Sequence, residues 1–337
     1  MVRCIVLFAV AFALAPAGAG GETPDAPDAV GAALARADTA ALRDALAALS
    51  RAASVDAAAQ AFAESVDALP RNRDFRARLE AAGAEASDGP HAAAARYLFL
   101  LVPGWRYRVN AHTGADLSRP RAVLERLGFA TELVPLDENG TIEANASALA
   151  DAIARQEAGG RALILVSTSK GGPETHLALD RARRSGHAAA VAAWVNIGGL
   201  LNGSAIADYW AAWPRRWLAA LAFAFQGFDI ASIDSMTTET SRARFAAAAL
   251  PAHVLVVNYV AVPMSWEVTS LSQGGYMTLV EHGPNDGLTL LADAIVPEGM
   301  TVLARGLDHF YATPDLDDRI AAMARALVRL LEERATR

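Results

Sequence analysis

The run Ala162-Leu-Ile-Leu-Val166 reads as a strand and passes directly into Ser167-Thr168-Ser169-Lys170-Gly171-Gly172, after which the chain reads as a helix. A serine becomes a nucleophile when its hydroxyl stands clear of its neighbours and a base can take its proton. A sharp strand-to-helix turn lifts the hydroxyl, and small residues two before and two after the serine let the backbone make that turn. Around Ser169 those neighbours are Ser167 and Gly171. Glycine is the commoner first residue, and serine tolerates a strained backbone less well, so Ser167→Gly is expected to preserve activity. The same turn puts the Lys170 N–H at a helix start, where it can face a developing oxyanion.

A serine of this kind needs a base and an acid, which follow it in the chain as acid and then histidine. Of seven histidines only His309 follows the last strand-like run, in Gly306-Leu-Asp-His309-Phe310; His282 is the competitor. The acid must hold one imidazole tautomer and stabilise the imidazolium. Asp286, in Gly283-Pro-Asn-Asp286-Gly-Leu288, fits best, with Glu281 in reserve; Asp308 is adjacent to His309, and neighbouring side chains rarely point at one another. A second oxyanion donor is expected from Leu101-Val-Pro-Gly104-Trp105, where Gly104 permits a close turn and the Trp105 N–H can pair with that of Lys170. The chemistry these residues suit is acyl transfer from a carboxylic ester.

Asn285-Asp-Gly-Leu288 resembles the acid-bearing N-D-G-L segment of bacterial secreted lipases of the α/β-hydrolase superfamily, and Asp308-His309 resembles their histidine loop. Gly199-Leu-Leu-Asn-Gly203-Ser-Ala-Ile-Ala207-Asp208 is similar to their G-x-P-H-x-G-S-x-x-A-D segment, with Leu200 and Leu201 in place of Pro-His. The resemblance spans roughly residues 97–310 and implies an α/β-hydrolase fold and a lipase-like or esterase-like activity. Thioester or polyester cleavage would use the same three residues. A non-catalytic relative that binds a partner through its helices is the reading from another class.

The elements that must position these residues are legible as pattern. Short apolar runs at 97–102, 131–136, 162–167, 191–197, 253–260 and 301–305 alternate with helix-like stretches at 120–127, 146–156, 172–184 and 317–333. Such alternation implies an α/β fold with a mostly parallel sheet covered on both faces. Residues 20–90 form an Ala-rich helical region with helix starts at Asp38 and Ser54, closed by Ser87-Asp-Gly-Pro90 as a domain boundary before the 91–337 hydrolase domain. No partner for that region can be named. Residues 204–250 interrupt the alternation as a helical cap insert rich in aromatics, of which Trp210, Trp213, Trp217 and Phe223 are expected to contact substrate or, transiently, a lipid surface.

Composition closes off other classes. A formal charge of −7 offers no basic patch for nucleic acid. The sole cysteine, Cys4, lies in an apolar run with Arg3 before it and Ala17-Gly-Ala19 after it, which reads as a signal peptide over 1–19 and an exported protein without disulfides. Asp315, Asp317 and Asp318 suit a helix N-terminus better than a calcium site, so no metal and no cofactor is expected.

Overall fold

The structure, a computed structural model, describes residues 26–85, 89–225 and 228–336; the leader expected over 1–19 lies outside the described residues. Six strands are present among them: β1 (Tyr97–Val102), β2 (Ala130–Leu133), β3 (Ala162–Thr168), β4 (Val191–Ile197), β5 (Leu255–Val262) and β6 (Met300–Arg305). They form one parallel sheet in the order β2-β1-β3-β4-β5-β6. The expected second strand is cut short after Leu133 because Pro135 has no N–H to continue a ladder. From β1 the chain steps outward to β2 and then crosses back to β3, so the strand order reverses beside β1 and β3. The crevice past the carboxyl ends of two such strands is where open parallel sheets bind ligands.

Thirteen α-helices accompany the strands among the described residues: α1 (Ala26–Ala35), α2 (Thr39–Ala52), α3 (Val55–Ala68), α4 (Pro70–Gly83), α5 (Ser118–Arg126), α6 (Ile142–Glu157), α7 (Gly171–Ser185), α8 (Ala205–Ala211), α9 (Arg215–Phe225), α10 (Ala231–Asp234), α11 (Thr238–Ala247), α12 (Gln273–Leu279) and α13 (Leu316–Ala335). Alternate strand side chains point to opposite faces. Phe99, Leu101, Ile164, Val166 and Val195 meet α4, α5 and α13, while Leu98, Leu100, Leu163, Leu165 and Trp194 meet α6 and α7. Both faces are buried, which is why these strands read as continuous apolar runs.

The N-terminal helices start where the sequence places them, with the Asp38 and Ser54 side chains accepting from the Ala41 and Ala57 N–H groups. They are not a separate body, however. Phe75 and Ala82 of α4 belong to the core beneath α13, and Phe62 of α3 shares a core with Val260, Val262, Leu291 and Ile295. Asn72 and Arg71 complete the attachment: Asn72 accepts from the Thr301 N–H at 2.8 Å, and Arg71 donates to the Gly299 and Pro297 carbonyls. The Pro-Gly break near residue 90 therefore separates stretches of chain, and the cores run across it. No helix among the described residues is long and apolar enough to cross a membrane.

Candidate active site

Ser169 sits between β3 and α7 with φ at +53°, a left-handed conformation that costs energy for any residue with a Cβ. The surroundings hold it there. The Ser169 N–H donates to the Ile197 carbonyl at 3.0 Å, and its carbonyl accepts from Gly172 and Leu200. Gly171 is required at the start of α7, because a Cβ there would stand 2.8 Å from the Val102 and Pro103 carbonyl oxygens. Of five non-glycine residues with positive φ among those described, Arg106, Leu117, Ser169 and Tyr311 lie in the loops and turns around this one crevice. Strain of this kind concentrates where a surrounding structure fixes functional groups.

Ser167 has a partner that the sequence did not disclose. Its hydroxyl, fully buried, accepts from the Trp194 indole N–H at 2.8 Å. It is therefore more than a small residue standing in for glycine.

His309 and Asp286 are joined twice. The Asp286 Oδ2 lies 2.8 Å from His309 Nδ1, and the His309 N–H donates to the Asp286 carbonyl at 2.8 Å. Asp286 Oδ1 accepts from the N–H groups of Leu288 and Thr289, so the carboxylate is fully engaged at zero exposure. A carboxylate that only accepts requires the proton on Nδ1, which leaves the Nε2 lone pair bare. Nε2 is buried and makes no hydrogen bond, that to Ser169 included, while His309 and Ser169 both line the same cavity. His282 is half exposed, 3.6 Å from Glu281, and absent from the cavity wall. Asp308 turns the other way and receives the Thr269 N–H and hydroxyl, clamping the histidine loop.

The segment carrying Ser204 and the one carrying Asp286, read separately in the sequence, touch. The Ser204 hydroxyl caps α8 through Ile206 and donates to the Leu288 carbonyl, and Thr289 donates to the Gly203 carbonyl. Tyr311 was not anticipated. Its buried hydroxyl accepts from the Ala261 N–H and donates to the Tyr259 carbonyl, tying the turn after His309 to β5. Desolvation is the main reason its pKa lies well above the usual tyrosine value, so it stays a neutral donor.

Opposite the serine, a Cβ on Gly104 would lie 3.4 Å from the Ser169 Cβ. The Gly104 N–H is already given to Ala115 at 2.8 Å, whereas neither the Trp105 nor the Lys170 N–H has a partner within the described residues. The Lys170 side chain is drawn away from the crevice and buried against Glu174 at 2.6 Å, with Asn145 on the same carboxylate. Burial raises the Glu174 pKa and Lys170 opposes that rise.

The cavity, about 660 Å³, is walled by the loop after β1, by α5, by the histidine loop and by α13. This differs from what the insert's aromatics suggest. None of Trp210, Trp213, Trp217 and Phe223 lines it. Trp213 and Trp217 are 80% and 51% exposed, Trp210 packs onto the small core of α8 and α10, and Phe223 stacks on Trp105 at 6.1 Å. The insert is broken into short helices, and its inward side chains are used in packing it down, so the open space lies along the other side of the crevice. The acidic cluster at 315–318 is likewise engaged: Asp317 binds Arg119 and Arg126, and Asp315 binds Arg319. Among the described residues no group of acids and histidines is arranged to hold a metal ion.

No protein-family model matches the sequence. No curated protein matches it either. Solved structures do. A metagenomic carboxyl esterase superposes with a TM-score of 0.58 at 24% identity, over 73% of this chain and 77% of that one. The mature form of a lipase from Bacillus licheniformis gives 0.54 at 19% identity, over 73% and 96%. The propeptide form of the same lipase gives 0.52 at 19%, over 67% and 48%. Together with the parallel six-stranded sheet and its crevice beside β1 and β3, these likenesses establish that the chain has the α/β-hydrolase fold.

Proposed function

We propose that this protein is a carboxylic ester hydrolase in which Ser169 is the nucleophile, His309 the general base and Asp286 the acid that orients it. The observation that carries the reading is the Asp286–His309 pair, whose free Nε2 borders a cavity shared with the strained Ser169. The names of the two superposed enzymes, a carboxyl esterase and a lipase, support the same reaction class.

In the reaction the Ser169 Oγ attacks the ester carbonyl carbon while its proton passes to His309 Nε2, and Asp286 stabilises the imidazolium. The carbonyl oxygen takes the negative charge opposite the Trp105 and Lys170 N–H groups, each such donor being worth about 10²–10³ in rate. Collapse expels the alcohol with the proton from His309 and leaves Ser169 acylated. Water then repeats the sequence and releases the acid. The signal-like segment over 1–19 supports export, and the exposed Trp217, Leu221 and Phe225, spaced four residues apart along α9, with exposed Trp213 in the turn before it, support transient contact with lipid.

A panel of p-nitrophenyl esters from acetate to palmitate tests the reaction. Hydrolysis is expected to fall by at least about 10⁴-fold in Ser169→Ala and in His309→Ala, in keeping with loss of one member of a serine triad. Fluorophosphonate labelling is expected on Ser169 alone. Labelling that persists in Ser169→Ala would sink the assignment.

A further inference from the structure

We infer that Phe223 and Phe228 of the insert are positioning residues for the second oxyanion donor: through Trp105 and Arg106 they hold the Trp105 N–H toward the reacting carbonyl oxygen. The insert then acts on turnover without touching substrate. The inference rests on the ester-hydrolase reading and gives the insert a part in it.

The N–H in question belongs to the peptide between Gly104 and Trp105, and glycine leaves such a peptide more ways to rotate than any other residue. The Gly104 N–H is fixed on the Ala115 carbonyl at 2.8 Å. Beyond the Gly104 Cα no side chain of its own restrains the peptide, so the restraint must come from the residues that follow. Both of them reach into the insert. Trp105 packs against the core of Ile142, Ala207, Ile233 and Met236, and Phe223 stacks on its ring with centroids 6.1 Å and planes 29° apart. The indole N–H has no acceptor among the described residues, so ring contacts and not a directional bond set the place of the side chain. Arg106, strained at φ +52°, lays its guanidinium over Phe228 at 4.5 Å and over Trp105 at 5.8 Å. Phe223 and Phe228 meet in turn, 6.3 Å between centroids.

These four side chains form one cluster, with the loop after β1 on one side of it and the insert on the other. Trp105 lines the cavity, whereas Phe223 and Phe228 do not, so an effect of either phenylalanine on the reaction must pass through Trp105 or Arg106. The frame of the insert stands without the cluster. Asp208 of α8 accepts the Thr238 N–H and hydroxyl at the start of α11, at 2.8 and 2.7 Å, and Ser204 caps α8. Removing the Phe223 ring therefore releases the loop after β1 and leaves α8 tied to α11.

The test measures kcat and kcat/KM for p-nitrophenyl acetate and octanoate in the wild-type protein, Phe223→Ala, Phe223→Leu, Phe223→Tyr and Leu218→Ala. Beside them it measures the affinity of a trifluoromethyl ketone, whose tetrahedral adduct with Ser169 carries the oxyanion. Phe223→Ala is expected to lower kcat and kcat/KM together by at least about tenfold, since losing such a donor outright costs about 10²–10³. The loss should be equal for the two esters, and ketone affinity should fall by the same factor. Phe223→Leu keeps most of the packing volume without the aromatic face, and should show the same pattern even if the alanine variant unfolds. Phe223→Tyr keeps the ring and should stay within about threefold of wild type. Leu218→Ala, which removes an apolar side chain 51% exposed on the same helix, should match wild type. An unchanged kcat, an effect on KM alone, a larger loss for octanoate than for acetate, or an equal loss in Leu218→Ala overturns the positioning role while leaving ester hydrolysis standing. If the wild-type protein cleaves no ester, the hydrolase reading fails alone, and hydrogen exchange decides the clamp. Residues 103–117 should then exchange at least about threefold faster in Phe223→Ala with β3 unchanged, and equal exchange overturns it.

Discussion

The hydroxyl of Ser167 and the indole of Trp194 are both fully buried and satisfy each other across β3 and β4, directly beneath the nucleophile turn. Ser167→Gly removes the acceptor and leaves a buried N–H without one, a loss of about 1–3 kcal/mol. The expected outcome is a protein that still cleaves esters, because no reacting atom is touched, but unfolds at lower urea concentration. Ser167→Gly combined with Trp194→Phe should recover part of that loss, since both polar partners are then gone; a double-mutant cycle that is strictly additive would deny the bond any role. At His309 the expectation is geometric. Its Nε2 has no partner here, and such contacts often tighten only when substrate arrives. In a crystal structure of the Ser169 adduct with a fluorophosphonate, Nε2 is expected within roughly 2.6–3.2 Å of the serine Oγ or the leaving-group position. An imidazole still turned away there would remove it as the base.

Between elements, the most consequential joint is Asp293, a side chain 1% exposed that receives Arg43 from α2 at 2.6 Å and Arg242 from α11 at 3.3 Å. It ties the N-terminal helices and the insert to the segment that follows the Asp286 loop. Burial raises the Asp293 pKa and its two arginines pull it back. Removing one partner of a buried pair typically costs about 3–5 kcal/mol; with Arg242 still present, Arg43→Ala is expected to cost roughly 1–3 kcal/mol. It should also leave α1–α3 more open to limited proteolysis than α6–α7, and equal protection of both would show that apolar packing alone holds them. This joint was invisible in the sequence, as was the continuity of the cores across residue 90. Periodicity reports which face of a helix is apolar and says nothing of what covers it. The strands, the turn at Ser169 and the order of Asp286 and His309 were legible because each depends on residues close in the chain. The cavity was not, because Leu316, Ile320 and Met323 continue the same helical stripe as the core residues Ala324 and Leu327, and none of Trp210, Trp213, Trp217 and Phe223 lines it.

For the molecule as a whole, the clearest dependence on solution conditions comes from a histidine far from the chemistry. His176 on α7 is buried between Trp194, 6.2 Å away, and Phe245 of α11, stacked on it at 4.5 Å. Burial lowers its pKa to about 4, with Asp180 opposing and Arg244 reinforcing the shift. Because the folded protein resists protonation there while the unfolded chain takes up a proton near pH 6.5, the unfolded state binds more protons between about pH 4 and 6.5. The sign follows: this group's contribution is complete above about pH 6.5 and is lost as pH falls toward 4, at most about 3 kcal/mol at 1.36 kcal/mol per unit. Glu174 and Asp293, whose pKa values are raised chiefly by burial, act in the opposite sense, since the folded state then holds protons that the unfolded chain gives up. The total acid response therefore mixes the two, and only a difference isolates the histidine. Urea unfolding of wild type and His176→Phe between pH 4.5 and 7.5 should show the variant losing less stability toward acid than the parent, with the gap widening steadily below pH 6.5. Parallel curves would mean that His176 is protonated in the folded state, and that the packing of α11 over α7 accommodates the charge.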